Sequence, residues 1–230
     1  MLKDLLFEIE AEFDRERAEH SKRFFKTGKG EYGEGDVFYG LSVPKQRKIA
    51  KEYENLSLKE IQELLNSKVH EHRLTGLIIL VNQFKKGNQK KIYDLYLSNT
   101  HNINNWDLVD VTAHHIVGGY LFDKKKDILY SLSKSKLLWE RRISIIATFY
   151  FIKKDKFEDT LKISEILVYD KHDLIQKAVG WMLREIGKRN QDIEEGFLKK
   201  YYKTMPRTML RYAIERFSRE KRDFYLGRKN

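Results

Sequence analysis

The sequence has no cysteine and only 2 prolines in 230 residues. The first absence removes disulfide frameworks, thiolate zinc sites, iron–sulfur clusters and thiol nucleophiles. The second argues against collagen-like and low-complexity chains. Long apolar runs are missing too: the longest, Ile143 to Ile152, is interrupted by Ser144 and Thr148 and is far shorter than the ~20 residues of a membrane span. Met1-Leu2-Lys3-Asp4 does not open a basic segment followed by an apolar one, so no secretory signal is expected. The expectation is a soluble intracellular protein without a membrane partner.

What is present suffices for a core: 41% of the residues are hydrophobic and 13% aromatic, which excludes wholesale disorder. Lys and Arg number 45 against 34 Asp and Glu, a formal charge of +11. Such an excess attracts polyanions through counterion release, which makes nucleic acid the leading partner class.

Nearly every segment reads at helical period. Leu2 to Phe25, with apolar Leu6, Ile9 and Phe13 among Glu, Lys and Arg, predicts one amphipathic helix stopped by a Gly-rich stretch. Pro44 suits the first turn of the next helix, Ser57-Leu-Lys-Glu60 matches a capping box, and Pro206 suits another helix start. The most strand-like piece is Asp36 to Leu41. Segments beginning at His72, Trp106, Trp139, Ile175 and Arg207 recur at roughly 30–37 residue intervals, polar or aromatic first and apolar beyond. Amphipathic helices at Asn88 to Leu97, Asp123 to Leu132, Glu158 to Val168 and Gln191 to Tyr202 lie between them. One helix pair per period predicts an all-α, curved α-solenoid of HEAT-like helical repeats, a single domain over 1–230 whose polar first turns line a groove.

Gly28-Lys-Gly-Glu-Tyr-Gly33 has G-x-G-x-x-G spacing, but it follows a helix and carries Glu31, Glu34 and Asp36, which would repel a pyrophosphate. A structural turn is the better reading. His114 and His115 are successive and expected to point apart, with no second pair to complete a metal site, so no metal is assigned. Asn104-Asn-Trp-Asp-Leu-Val-Asp110 differs: the Asn pair can cap a helix on which Trp106 and Asp110 share one face. Alternatively Trp106 packs between repeats and Asp110 satisfies a neighbouring arginine. Trp139 with Arg142, and Lys177, Trp181 and Arg184, provide similar faces later in the chain. An aromatic face attracts a cation or stacks on a base, a carboxylate stabilises developing positive charge, and arginine clamps phosphate. A cationic alkylated purine in DNA suits that set, because its glycosidic bond is already weakened and one carboxylate can suffice where glycoside hydrolysis usually employs two.

The chain resembles the AlkD-like DNA alkylation repair family of HEAT-like-repeat DNA glycosylases. Six segments carry the resemblance: Phe24 to Asp36, Gly40-Leu-Ser-Val-Pro44, Asn104 to Asp110, Trp139-Glu-Arg-Arg142, Lys171 to Glu185, which holds Ala178-Val-Gly-Trp-Met-Leu-Arg-Glu185, and Met205 to Ala213. It implies a monofunctional hydrolase that removes positively charged 3-methyladenine and 7-methylguanine type bases in base excision repair, without metal or organic cofactor and without base flipping. On that resemblance Asp110 matches the catalytic carboxylate. Trp106 and Trp181 match the tryptophans that contact the damaged nucleoside's deoxyribose and backbone, and Arg142 matches the arginine that holds phosphate. Arg141, Lys177, Arg184, Arg207 and Arg211 are further expected DNA contacts, read from charge and position alone. Ser42-Val43 before Pro44 and the long Gly28 to Asp36 loop depart from the better-known type, which bears on substrate range. The expected partner is double-stranded DNA with alkylated purines, bound by a monomer in a bacterial-type cytoplasm. A noncatalytic binder of bent, branched or damaged DNA on the same scaffold is the alternative, and a HEAT-type protein scaffold is a third reading.

Overall fold

In the computed structural model, which describes residues 1–227, every regular element is helical. Positions 228–230 of the expected domain lie outside the described residues. Backbone contacts divide the chain into two compact units, Met1–Tyr120 and Leu121–Asn230. Among the described residues the β-type pairing is a bridge between Val37 and Val69. It is all that the strand-like Asp36 to Leu41 segment forms, and it lays that segment on the start of a long helix.

In the first unit, α1 (Leu2–Ala11) and α2 (Arg15–Phe24) replace the single expected helix. Asp14 causes the break: its backbone is extended and its carboxylate accepts the Arg17 N–H at 3.0 Å, capping α2. The split turns Leu5 and Ile9 inward and leaves Phe13 exposed, although the period had put Leu6, Ile9 and Phe13 on one face. Pro44 lies in the first turn of α3 (Val43–Glu52), and the Ser57–Glu60 capping box opens α4 (Leu58–Leu65) as expected. The core of the unit is α5 (His70–Lys86), which buries residues nearly all round and packs on α3, α4 and α6 (Gln89–Ser98). Then come the short α7 (Trp106–Asp110), a π-helical turn at His114–Gly118, and α8 (Gly119–Leu121), where the units meet in sequence.

The second unit holds α9 (Asp127–Leu132), α10 (Leu138–Ala147), α11 (Phe149–Ile152) and α12 (Glu158–Leu167). It continues with α13 (Asp173–Gly187), α14 (Gln191–Tyr201), α15 (Arg207–Ala213) and α16 (Arg219–Leu226). Pro206 is the residue just before α15. Helix α13 is central and packs against α10, α12, α14 and α15. Gly180 permits the last contact, since a Cβ there would lie 2.5 Å from the Tyr212 Cβ. The recurring segments found in the sequence thus correspond to α5, α7, α10, α13 and α15, with other helices between them.

Candidate active site

Asn105 has extended backbone and its Oδ1 accepts the Trp106 N–H at 2.8 Å, so the chain turns sharply into α7. Within this five-residue helix Asp107, Leu108 and Val109 are buried, while Trp106 and Asp110 at its two ends are half-buried. The i, i+4 spacing therefore leaves both on the part of α7 that is not wholly enclosed. The Trp106 ring is also packed: Phe25 stacks on it at 5.4 Å and 24°, and Phe24 meets it edge-on at 5.7 Å and 72°. Phe24 is itself 55% exposed, so this aromatic group extends outward as a partly open shelf.

Beyond Asp110 the helix widens into the π-turn, a geometry often found at functional sites. The His114 Nδ1 lies 3.2 Å from the Asp110 carbonyl oxygen. Contrary to expectation, the His114 and His115 rings do not point apart: their centroids are 3.9 Å from each other. The wider π-turn rotates successive side chains by less than an α-helix does, which brings neighbours together. Tyr96 is fully buried, with its hydroxyl 2.8 Å from the Thr112 hydroxyl. Burial raises the pKa of the Tyr96 phenol well above its ordinary value, and the Asp110 carboxylate adds to the shift.

Under the shelf lies a group that the sequence reading missed. His70, in the first turn of α5, is 2% exposed, with Nε2 2.8 Å from Asp107 Oδ2 and Nδ1 3.4 Å from Asp36 Oδ2. Its ring stacks on Phe38 at 4.6 Å and lies 5.0 Å from Phe25. Arg73 Nη2 approaches Asp36 Oδ2 at 2.8 Å without hydrogen-bond alignment, an ionic contact, and Asn104 Nδ2 donates to Asp36 Oδ1 at 3.3 Å. Burial disfavours the His70 charge, yet Asp107 and Asp36 outweigh it and lift the pKa to about 9. Burial likewise opposes the Asp36 charge, but the His70 hydrogen bond and Arg73 prevail and hold its pKa below the ordinary value. Next along α5, Glu71 accepts the Tyr39 N–H at 3.1 Å and the Gly40 N–H at 2.7 Å. The only signal for this in the sequence is the charged run His70-Glu71-His72-Arg73 ahead of an apolar helix.

The Gly-rich loop is a structural turn. Glu31 and Glu34 accept the Gly28 and Gly30 N–H groups at 2.8 Å each, so backbone donors that could cradle a phosphate already hold carboxylates. Among the described residues no group of three or more His, Asp or Glu side chains is placed to hold a metal ion, and no helix is long and apolar enough to cross a membrane.

The remaining candidates belong to the second unit. Trp181 is half-buried on α13, donates its indole N–H to Glu185 at 3.0 Å and lies 5.8 Å from the Phe149 ring. Lys153 sits 4.2 Å over that phenyl ring, and burial lowers its pKa. Trp139 is 4% exposed and Arg142 5%, so neither forms the open Trp–Arg face that their spacing suggested. Arg142 donates to the Leu174 carbonyl, tying α10 to the first turn of α13. Arg141 is engaged by Asp170 at 2.7 Å and by the Ser135 and Lys136 carbonyls. Lys177 pairs with Asp173 at 2.7 Å, Arg184 with Glu215, and Arg207 donates to the Leu226 carbonyl at 2.8 Å. Arg211 is exposed and makes no ion pair with a described residue.

Within the first unit, then, an aromatic shelf adjoins the start of the helix whose last residue is Asp110. Residues 5–217 match the family described as DNA alkylation repair enzyme, and the chain belongs to that family. It has a role in DNA alkylation repair on that ground. Solved structures share its fold. A predicted DNA alkylation repair enzyme from Enterococcus faecalis is 16% identical, with 90% of this chain and 98% of that one covered and a TM-score of 0.74. AlkD2 from Streptococcus mutans is 19% identical over 78% of this chain and 91% of its own, TM-score 0.60. The protein smu.31 from Streptococcus mutans UA159 is 19% identical over 74% and 89%, TM-score 0.58. No curated protein matches the chain.

Proposed function

We propose that this protein is a monofunctional alkylpurine DNA glycosylase, hydrolysing the N-glycosidic bond of cationic 3-methyladenine and 7-methylguanine type bases in duplex DNA as the first step of base excision repair. The observation that carries the reading is Asp110, half-buried one helical turn from a half-buried Trp106 whose outer neighbour Phe24 is open to solvent. As the C1′–N bond breaks, its electron pair passes to the base and cancels the ring's positive charge, so no acid is needed to protonate the leaving group. The Asp110 carboxylate stabilises the oxocarbenium-like sugar, and water adds at C1′ and loses its proton by way of Asp110 to bulk solvent, leaving the free base and an abasic site. Trp106 offers an electron-rich face to the same cation.

The family resemblance assigns Trp181 to the deoxyribose and backbone, and Arg142 to phosphate from a guanidinium oriented by the Leu174 carbonyl. Arg207 and Arg211 are the most exposed of the other proposed DNA contacts, with Arg141, Lys177 and Arg184 reaching phosphate only by exchanging carboxylate partners. The reading treats 1–230 as one functional domain, active as a cytoplasmic monomer on DNA and drawing only on side chains. The test is release of free base from duplex DNA carrying 7-methylguanine or 3-methyladenine, with abasic sites appearing in equal number. The second reading is a noncatalytic binder of bent or branched DNA on the same scaffold, which predicts salt-sensitive binding and no released base.

A further inference from the structure

We infer that His70 is a positioning residue for this site: clamped between Asp36 and Asp107 beneath the Phe25–Trp106 stack, it fixes the Trp106 indole and the first turn of the helix that ends in Asp110. The inference rests on the glycosylase reading for its kinetic consequence and on geometry for the clamp itself. Both His70 ring nitrogens face a carboxylate oxygen, at 2.8 and 3.4 Å. Only an imidazolium has a proton for each, whereas either neutral tautomer turns a lone pair toward one of the two anions. Among the groups paired with one another the charges also balance, with Asp36 and Asp107 negative and His70 and Arg73 positive, while buried Glu71 is held apart by the Tyr39 and Gly40 N–H groups. The charged groups that face His70 are Asp36 from the loop, Asp107 from α7 and Arg73 from its own helix. Phe25 and Phe38 cover the ring with no charge.

Each end of the clamp belongs to a different part of the site. Asp107 immediately follows Trp106 in α7, and its Oδ1 accepts the Leu108 N–H at 2.9 Å, so its carboxylate is bound both to the helix start and to His70. Asp36 closes the Gly-rich loop that leaves α2, the helix whose end supplies Phe24 and Phe25. The imidazole is one corner of a three-ring cluster in which Phe38 lies against it at 4.6 Å, Phe25 lies 5.0 Å from it and stacks on Phe38 at 5.1 Å, and Phe25 passes the stack on to Trp106. Loss of the second proton removes one of the two charge-assisted bonds and leaves a buried carboxylate facing a lone pair, which loosens α7 against the loop. A residue that only stabilised the fold would alter unfolding; a positioning residue also alters the indole's surroundings in the folded protein.

Two measurements test this. In the first, Trp106 emission of the folded wild type, isolated by subtracting the Trp106→Phe spectrum, is followed as pH rises through 9. A one-proton transition near 9 that is absent from His70→Gln is expected, since burial opposes and the two carboxylates favour the His70 proton up to about that value. In the second, single-turnover excision of 3-methyladenine at pH 7 is expected to fall about 10–100-fold in His70→Gln while affinity for undamaged duplex stays within about threefold, the pattern of a displaced reacting group. A wild-type indole that does not respond between pH 8 and 10 overturns the clamp, whether or not His70→Gln folds. An excision loss matched by an equal loss of affinity, or no loss at all, overturns the positioning role. Release of no base by the wild type defeats the glycosylase reading alone, because the Trp106 titration reads the clamp without DNA.

Discussion

Asp36 in the first unit and Glu194 in the second are both buried carboxyls. Around Asp36 stand His70, Arg73 and Asn104, and its pKa is lowered. Around Glu194, which is 1% exposed, the structure offers far less: burial and the neighbouring Glu195 raise its pKa to about 9 against the pull of Arg184, and its Oε1 has no hydrogen-bond partner among the described residues. Burial of similar depth therefore leaves one group ionised and the other protonated at neutral pH, and the partners decide which. The ionised cluster underlies the candidate site. The protonated acid fills the space beside Gly187 in a helix–helix contact.

The two regions also make distinct contributions to the pH dependence of folding. His70 is raised from 6.5 to about 9, so its stabilisation is complete below 6.5 and is lost as pH rises through 9. Asp36 is lowered, so its contribution is present above the ordinary 3.8 and lost as pH falls through the folded value. Glu194 is raised from 4.5 to about 9: the unfolded state releases that proton first, and stability declines across this window. Of these three groups Glu194 alone tilts stability downward with rising pH between 4.5 and 6.5, where half-buried His72, lowered to about 4, tilts it the opposite way, and Glu194 and His70 both tilt it downward from 6.5 to 9.

Breaking the paired cluster should have the largest effect. Asp107→Ala or Asp36→Ala leaves a buried cation without one of its anions and is expected to lower stability by about 3–5 kcal/mol, read as a denaturant midpoint at pH 7. Glu194→Gln should act in the opposite direction. Between 4.5 and 7 lie 2.5 units, and at about 1.36 kcal/mol each the neutral amide is expected to stabilise by on the order of 3 kcal/mol at pH 7, with the gain shrinking toward pH 4.5. Thermal midpoints of both proteins at pH 5 and 8 check the trend. Gly187→Ala drives a methyl group into the Glu194 carboxyl and should destabilise by about 1–3 kcal/mol, with less loss in a Glu194→Ala background because the two side chains compete for one space. At the small end, Lys90→Ala removes an exposed partner of Asp94 and should leave the unfolding midpoint unchanged within error, which confirms that location and not ion-pair count sets these effects.

Much of this architecture was legible in the sequence because it rests on local signals. The Ser57 capping box, Pro44, and the recurring helix starts at Trp106, Trp139 and Arg207 depend on residues within a turn or two of one another. The Asn105 cap and the pairing of Trp106 with Asp110 at the ends of α7 were legible for the same reason. The break at Asp14 was hidden, since a continuous polar–apolar period says nothing about which Asp leaves the helix. The His70 clamp was hidden for a deeper reason: its partners are 34 and 37 residues away in sequence, and a histidine amid charged residues looks like an ordinary solvated turn. Arg142 shows the reverse. Its spacing from Trp139 suggested an open face, but the apolar run that follows draws both into the core of the second unit.

The central claim is that Asp110 performs chemistry. Single-turnover release of 3-methyladenine from duplex DNA by wild type and Asp110→Asn, with affinity for the same duplex measured in parallel, tests it most directly. The account predicts release by the wild type and a drop of about 10²–10³-fold in a variant that still binds, the scale of losing one electrostatic stabiliser of a transition state. Equal release by both proteins, or binding without release by either, would contradict it.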